Sequence, residues 1–209
     1  MARTRATTYE DQRTLILARA AELFASRGYS AATMNDVAAA CAMSKATLYH
    51  YFRDKQALLA NITLSHVRRL ESLVDEVTAQ RLPAADELRE LIEQFMAAYA
   101  DARHEHRVLT EDVRFLPPAE CRAVQEAQRR VVSAFSRTIV RVRPEMAPQG
   151  SALAMLLFGM INWTFTWLKP TGPMTHATLA PMVVQLFLGG LPAVKAAVPK
   201  RRARASVLV

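Results

Sequence analysis

Apolar side chains recur at helical spacing along nearly the whole chain, and no stretch alternates apolar and polar residues as a half-buried strand requires. Between Asp11 and Arg27, the residues Ile16, Ala20, Leu23 and Phe24 fall at i, i+4, i+7 and i+8, an amphipathic helix that Gly28 ends. Only six of the 209 residues are glycine and 7% are aromatic. Sandwiches and barrels need many turns and are disfavoured by this, as are glycine-rich nucleotide-binding loops. Alanine, leucine, arginine and methionine, all good helix formers, are plentiful instead. The expected fold class is all-α, with about nine helices in a length that suits one domain, or at most a small module grafted onto a larger one.

Caps and prolines mark the helix boundaries. Thr33 is a candidate N-cap, and Asp36 three positions on makes a variant of the capping box. Ser44 caps a short helix, SKATLYHYF, and Asp54 begins a long one running to about Arg81 before Pro83. Further helices are expected over Asp86–Ala102, over Ala119–Arg143 before Pro144, and over Thr175–Leu191, with a short or broken one across 103–116. Residues Ser151 to Leu168 are apolar all round and are expected to form one helix, stopped by Pro170 and Gly172. They reach the minimum length for a membrane span, but Asn162, Thr164 and Thr166 suit a helix buried on two sides better.

Charge is concentrated at the ends. Residues 1–60 carry eight basic and five acidic side chains, 61–194 carry fourteen of each, and 195–209 carry five basic ones alone. A polyanionic partner explains such ends; a solubilising tail is the alternative. Cys41 and Cys121 have neither metal-site nor disulfide spacing, and the N-terminus lacks the apolar core of a signal peptide, so a cytoplasmic protein is expected. His104 and His106 are separated by i, i+2, which points two imidazoles apart, so no metal site is expected. No catalytic motif assembles, and neither enzyme activity nor a cofactor is expected.

The first 52 residues hold three helices, with a tight connection, Cys41-Ala42-Met43, between the second and third. This is a helix-turn-helix order, and the third helix is the one that would enter a major groove. Leu48 and Phe52 lie one turn apart and face inward, leaving Lys45, Ala46, Tyr49, His50 and Arg53 outside. The run Ile16…Ala20-Ala21-Glu22-Leu23-Phe24…Gly28-Tyr29…Thr33-Met34…Asp36-Val37-Ala38…Ser44-Lys45-Ala46-Thr47-Leu48-Tyr49-His50-Tyr51-Phe52…Lys55…Leu58-Leu59 resembles the DNA-binding domain of the TetR family of bacterial regulators.

The resemblance implies a homodimer on a palindromic DNA operator. It implies phosphate contacts from Thr33, Ser44, Lys45, Tyr49, His50 and Lys55, with Ala46 and Thr47 near base edges. The chain has alanine at 42 and 46 where the family usually has glycine; if residue 42 takes a positive φ, alanine costs about 1 kcal/mol there. Arg3 and Arg5 either reach the minor groove as a basic arm or have no role. The expected organisation is a DNA-binding domain over 1–55, a ligand-binding and dimerisation domain over 56–194, and a basic tail over 195–209.

In the second half, the resemblance implies that 151–168 and 175–191 form a four-helix interface with the partner copy, with no membrane involved. A stripe of Leu153, Leu156, Leu157, Met160, Ile161, Thr164 and Leu168 is expected on one side of the first, and one of Met155, Phe158, Asn162, Phe165 and Thr166 on the other. The stretch around Leu157–Trp163 also resembles members that sense fatty-acyl or aromatic acyl-CoA metabolites. Phe95, Met96, Tyr99, Phe115, Phe158 and Phe165 are the expected lining of an effector pocket, with Asn162 or Arg107 as polar anchors. The chain thus reads as a repressor released from its operator by a small molecule. The alternative is a DNA-bound interaction protein of the same fold without small-molecule control.

Overall fold

The computed structural model describes residues 8–169 and 171–195; Arg3, Arg5 and the basic run 200–204 lie outside them. The described residues form ten α-helical segments and three 3-10 turns, without a strand. Helix α1 (Tyr9–Arg27) starts two residues before the expected Asp11. Thr8 and Asp11 form a capping box there, and Gly28 closes the helix at φ +84°. Its buried face is Ile16, Ala20, Ala21, Phe24 and Ala25.

Helix α2 (Met34–Ala40) opens with the Thr33–Asp36 capping box. It closes with Ala42 at φ 52°, the Ala42 N–H donating to the Ala39 carbonyl and the Met43 N–H to the Ala38 carbonyl, both at 3.0 Å. That pair of bonds around a left-handed residue is a Schellman closure, and it aims the chain directly into α3 (Lys45–Tyr51). Helix α4 (Lys55–Ala79), capped by Asp54, is about 38 Å long and connects the two halves.

Two apolar cores lie along α4. One gathers α1, α2 and α3 with Leu58, Leu59, Ile62 and Val67 of α4, and also takes Val108, Leu109 and Leu116 from beyond it. The other holds Leu70, Val74 and Val77 against α5 (Ala84–Asp101), α7 (Pro118–Val142), α8 (Gly150–Asn162) and α10 (His176–Gly190). Helix α6 (Arg103–Glu111) and the 3-10 turn Val113–Phe115 pack on α1 and α4, so the second half of the sequence contributes to the core of the first. Between α5 and α7, the buried Glu87 carboxylate accepts from Thr138 Oγ1 at 2.8 Å and from Arg141 Nη1 at 2.6 Å.

The apolar run 151–168 is not one helix. It breaks at Trp163, and a four-residue helix α9 (Thr164–Trp167) follows. Thr164 and Thr166 turn their hydroxyls onto the carbonyls of Ile161 and Trp163, competing with the helical ladder at the break. The expected stripes are also redistributed. Leu153, Ala154, Leu157, Phe158 and Ile161 face inward, while Leu156 (65% exposed) and Met160 face out with Met155. Among the described residues one window, His176–Ala193, is long and apolar enough to cross a membrane by length and composition, with only 22% of it buried. Its inner face, Leu179, Val183, Val184 and Phe187, joins the second core.

Candidate nucleic-acid interface and effector cavity

Helix α3 buries Leu48 and Phe52 and exposes Ser44, Lys45, Ala46, Thr47, Tyr49 and His50. The exposed side chains already hold one another in place. Ser44 Oγ accepts from the Thr47 N–H at 3.0 Å and lies 2.8 Å from Thr47 Oγ1. Lys45 Nζ stands 5.8 Å from the Tyr49 ring centre. The edge of His50 meets Tyr51, which stacks on Tyr9 at 4.8 Å.

Thr33 is engaged differently. Its N–H and hydroxyl both donate to the Asp36 carboxylate, which these bonds hold below the usual carboxylate range. A phosphate at Thr33 would therefore meet a carboxylate that Arg27 offsets, Nη1 lying 3.5 Å from Asp36.

Lys55 does not face outward. Its ammonium donates to the carbonyls of Tyr29, Ser30 and Ala32 at 2.8, 3.4 and 2.9 Å and lies 4.4 Å from the Tyr29 ring centre. The α1–α2 loop presents three carbonyls that α1 and α2 cannot satisfy, and the first turn of α4 brings one ammonium with three protons to them. All three donors are spent internally, so the phosphate contact expected of Lys55 would have to displace one of these bonds.

A cavity of about 530 Å³ opens between α4, α5, α6, α7 and α8, within the size range of small-molecule sites. Leu70, Val132 and Phe158 supply apolar wall; Tyr99, His106 and Asn162 supply its inner polar groups. The Tyr99 hydroxyl donates to Asn162 Oδ1 at 2.8 Å, and burial pushes the phenol's pKa up, which keeps that proton on. The Tyr99 ring stacks on His106 at 3.7 Å. His106 Nε2 lies 3.3 Å from the Asn162 carbonyl oxygen, which can only accept, so Nε2 carries the proton. His106 Nδ1 then accepts from His66 Nε2 at 3.4 Å. Burial holds both imidazoles neutral, lowering His66 to about 3, aided by the neighbouring His106, and His106 to about 4.

Of the residues expected to line a pocket, Tyr99, Phe158 and Asn162 line this cavity. Phe95 and Met96, about one turn from Tyr99, are fully buried core and do not line the cavity. Phe165 lies behind His106, ring centres 5.9 Å apart, and does not reach the wall. Arg107 points to the surface and pairs with Glu111 at 2.9 Å. Phe115 stacks on Tyr29 at 5.2 Å in the DNA-binding core. Sequence reasoning passed over His66, although it sits in register with Ile62 and Leu70 on the apolar face of α4, where a histidine is out of place. It also passed over Gln125, Gln128 and Arg129, which α7 brings to the cavity mouth.

On the outside of the second half, α8 and α10 leave large apolar side chains in solvent, including Met182 and Leu186 (66% exposed). Trp163, at the end of α8, is 57% exposed, whereas Phe187 is buried.

Residues 16–62 match the family model described as bacterial regulatory proteins, tetR family, and residues 81–191 match the tetracyclin repressor-like C-terminal domain. A TetR-family transcriptional regulator from Bordetella parapertussis is 35% identical, covering 90% of this chain and 100% of its own, with a TM-score of 0.83. The uncharacterised regulator YhgD of Bacillus subtilis is 25% identical over 88% of this chain and 98% of its own. AibR, solved in complex with isovaleryl coenzyme A and operator DNA, shares the fold at a TM-score of 0.75 and 23% identity, covering 84% of this chain and 97% of its own. Two matched models that together run from the first helix core to the end of α10, and a 35% identical structure of the same extent, make this chain a member of the TetR family of bacterial transcriptional regulators.

Proposed function

We propose that the chain is a homodimeric repressor that grips a palindromic operator through α3 and lets go when a small acyl molecule, of the class of coenzyme A thioesters, fills the cavity. The observation that carries this reading is the double duty of the α6 segment. His106, Leu109 and Thr110 form cavity wall, and Phe115, in the turn that follows, stacks on Tyr29. Tyr29 belongs to the loop that Lys55 ties down, and that loop leads into Thr33 and α2. A ligand that displaces the wall thus has a packed route to the DNA-binding helices. It shifts the pair of recognition helices by favouring a state in which they no longer fit two grooves. The neutral inner lining beyond Arg129 suits the uncharged acyl and thioester portion, and AibR supports the class, having been solved with isovaleryl coenzyme A and operator DNA together.

Selection from random duplexes should enrich a palindrome with half-sites about one helical turn or a small multiple apart. Isovaleryl coenzyme A or a longer-chain thioester should then dissociate the complex in an anisotropy titration. Enrichment without release by any thioester rejects the effector class, and no enrichment rejects the operator. Exposed Leu156, Leu186 and Trp163 are the proposed contact with the second copy. Leu186→Glu should give a monomer that binds operator poorly, and a wild-type chain that sediments as a monomer at micromolar concentration rejects the dimer.

A further inference from the structure

A second depression, of about 900 Å³, runs along the outside of α4 and α7 and shares Arg129, Val131 and Ser133 with the cavity. Its charges are unevenly matched. Arg130 lies between Glu71 at 2.5 Å and Glu126 at 3.4 Å, a cluster with one carboxylate in excess. Arg68, Arg129 and Arg137 line the groove as exposed side chains, and none of the three is in an ion pair among the described residues. Asp75 is the one groove carboxylate in the same condition. Four arginines against three carboxylates leave the groove one positive charge in surplus, and the guanidinium groups outside ion pairs are spread along it. From Arg129 at the cavity mouth to Arg137 is two turns of α7, about 12 Å.

We infer that this groove is the seat of the charged end of the effector. It takes a phosphate-bearing carrier laid along Arg129, Arg68 and Arg137, while the acyl end passes Arg129 into the cavity beside Tyr99 and Asn162. The inference rests on the function proposed above and adds to it where the anionic part binds. Three guanidinium groups spread over two helical turns match a ligand whose negative charges are themselves distributed, since a single carboxylate engages one of them only. Guanidinium groups also pair with phosphate oxygens through two parallel N–H donors, which favours phosphate over a compact anion. Joining the two ends in one molecule makes the second contact intramolecular, so neither end alone should bind as well.

The test uses the full chain and three probes by calorimetry: octanoyl coenzyme A, coenzyme A and octanoate. Wild type should bind the thioester most tightly, with an affinity that falls as salt is raised. Arg68→Gln combined with Arg137→Gln, both outside the cavity wall, should weaken the thioester roughly tenfold or more and flatten its salt dependence, leaving octanoate unchanged. Asp75→Asn should strengthen the thioester, an outcome that a folding defect cannot imitate. Melting temperature and operator affinity of all variants should stay at wild type. Equal thioester affinity in wild type and the double variant overturns the groove, as does octanoate binding as tightly as octanoyl coenzyme A. If that result comes with operator release by the thioester, the proposed function stands without the groove. Absence of any thioester binding overturns both.

Discussion

Ala42→Gly should stabilise the protein. Ala42 sits at φ 52° in the closure of α2, where an L side chain crowds its own backbone and costs about 1–2 kcal/mol. Glycine removes that crowding but leaves the unfolded chain freer, which takes back about 0.4–1 kcal/mol. The net gain is about 0.5–1 kcal/mol, because the two 3.0 Å bonds from residues 42 and 43 are backbone bonds and survive the change. Residue 42 is exposed, so no cavity term enters. In a chain of this length the gain corresponds to about 1–4 °C in melting temperature. Ala42→Val makes the reciprocal case, since a β-branched residue at this φ should lose about 1 kcal/mol or more. Calorimetry at fixed protein concentration, with limited proteolysis of the α2–α3 connection as a local readout, measures both. If glycine lowers the melting temperature, or valine matches alanine, the strain assigned to this turn is absent and the account of the closure is mistaken.

Acid should destabilise the fold through His66 and His106. Both have folded pKa values lowered below the unfolded value of about 6.5, to about 3 and about 4, so their contribution is fully present above that unfolded value. It is lost as pH falls from there towards the folded values, at up to about 1.4 kcal/mol per pH unit for each histidine. Denaturant melts at pH 7 and pH 5 should differ by a few kcal/mol on this basis, and His66→Phe should shrink the difference; a difference unchanged in that variant rejects the cause. On α3, Lys45→Ala and Tyr49→Ala should each weaken operator binding by about 1–2 kcal/mol per subunit without lowering the melting temperature. Lys45→Ala should also reduce the salt slope by about one per subunit. Because Lys45 Nζ lies 5.8 Å from the Tyr49 ring, the double variant should lose less than the sum, read by anisotropy over a salt series.

The DNA-binding half was legible in the sequence because its determinants are local. Thr33 and Ser44 cap the turn that follows them, Leu48 and Phe52 are one turn apart, and the strain at Ala42 follows from a three-residue connection. The internal bonds of Lys55 were not legible because its partners are 23 to 26 residues away, on a loop whose unsatisfied carbonyls leave no mark in the sequence. The cavity was legible in part. On α5, Phe95, Met96 and Tyr99 are all buried, and which of them meets a void depends on how α6, α7 and α8 dock against it. The two stripes expected on α8 are mixed for the same reason, Leu153, Leu157 and Ile161 of one facing inward with Phe158 of the other. A helix that is apolar all round carries no periodic mark of its inner side.

The three-carbonyl grip of Lys55 works as a tethered cation. A free ion that organised the loop after α1 would be lost on dilution or chelation, whereas this one is bonded to the chain and cannot leave. Its charge is partly buried, so added salt screens it weakly, while the exposed charges of α3 are screened strongly. Raising ionic strength should therefore strip the protein from nucleic acid and leave the scaffold that holds α2 intact, a separation of use in purification. Arginine would be a poor substitute for Lys55, since a planar fork cannot direct three protons to carbonyls clustered about one point.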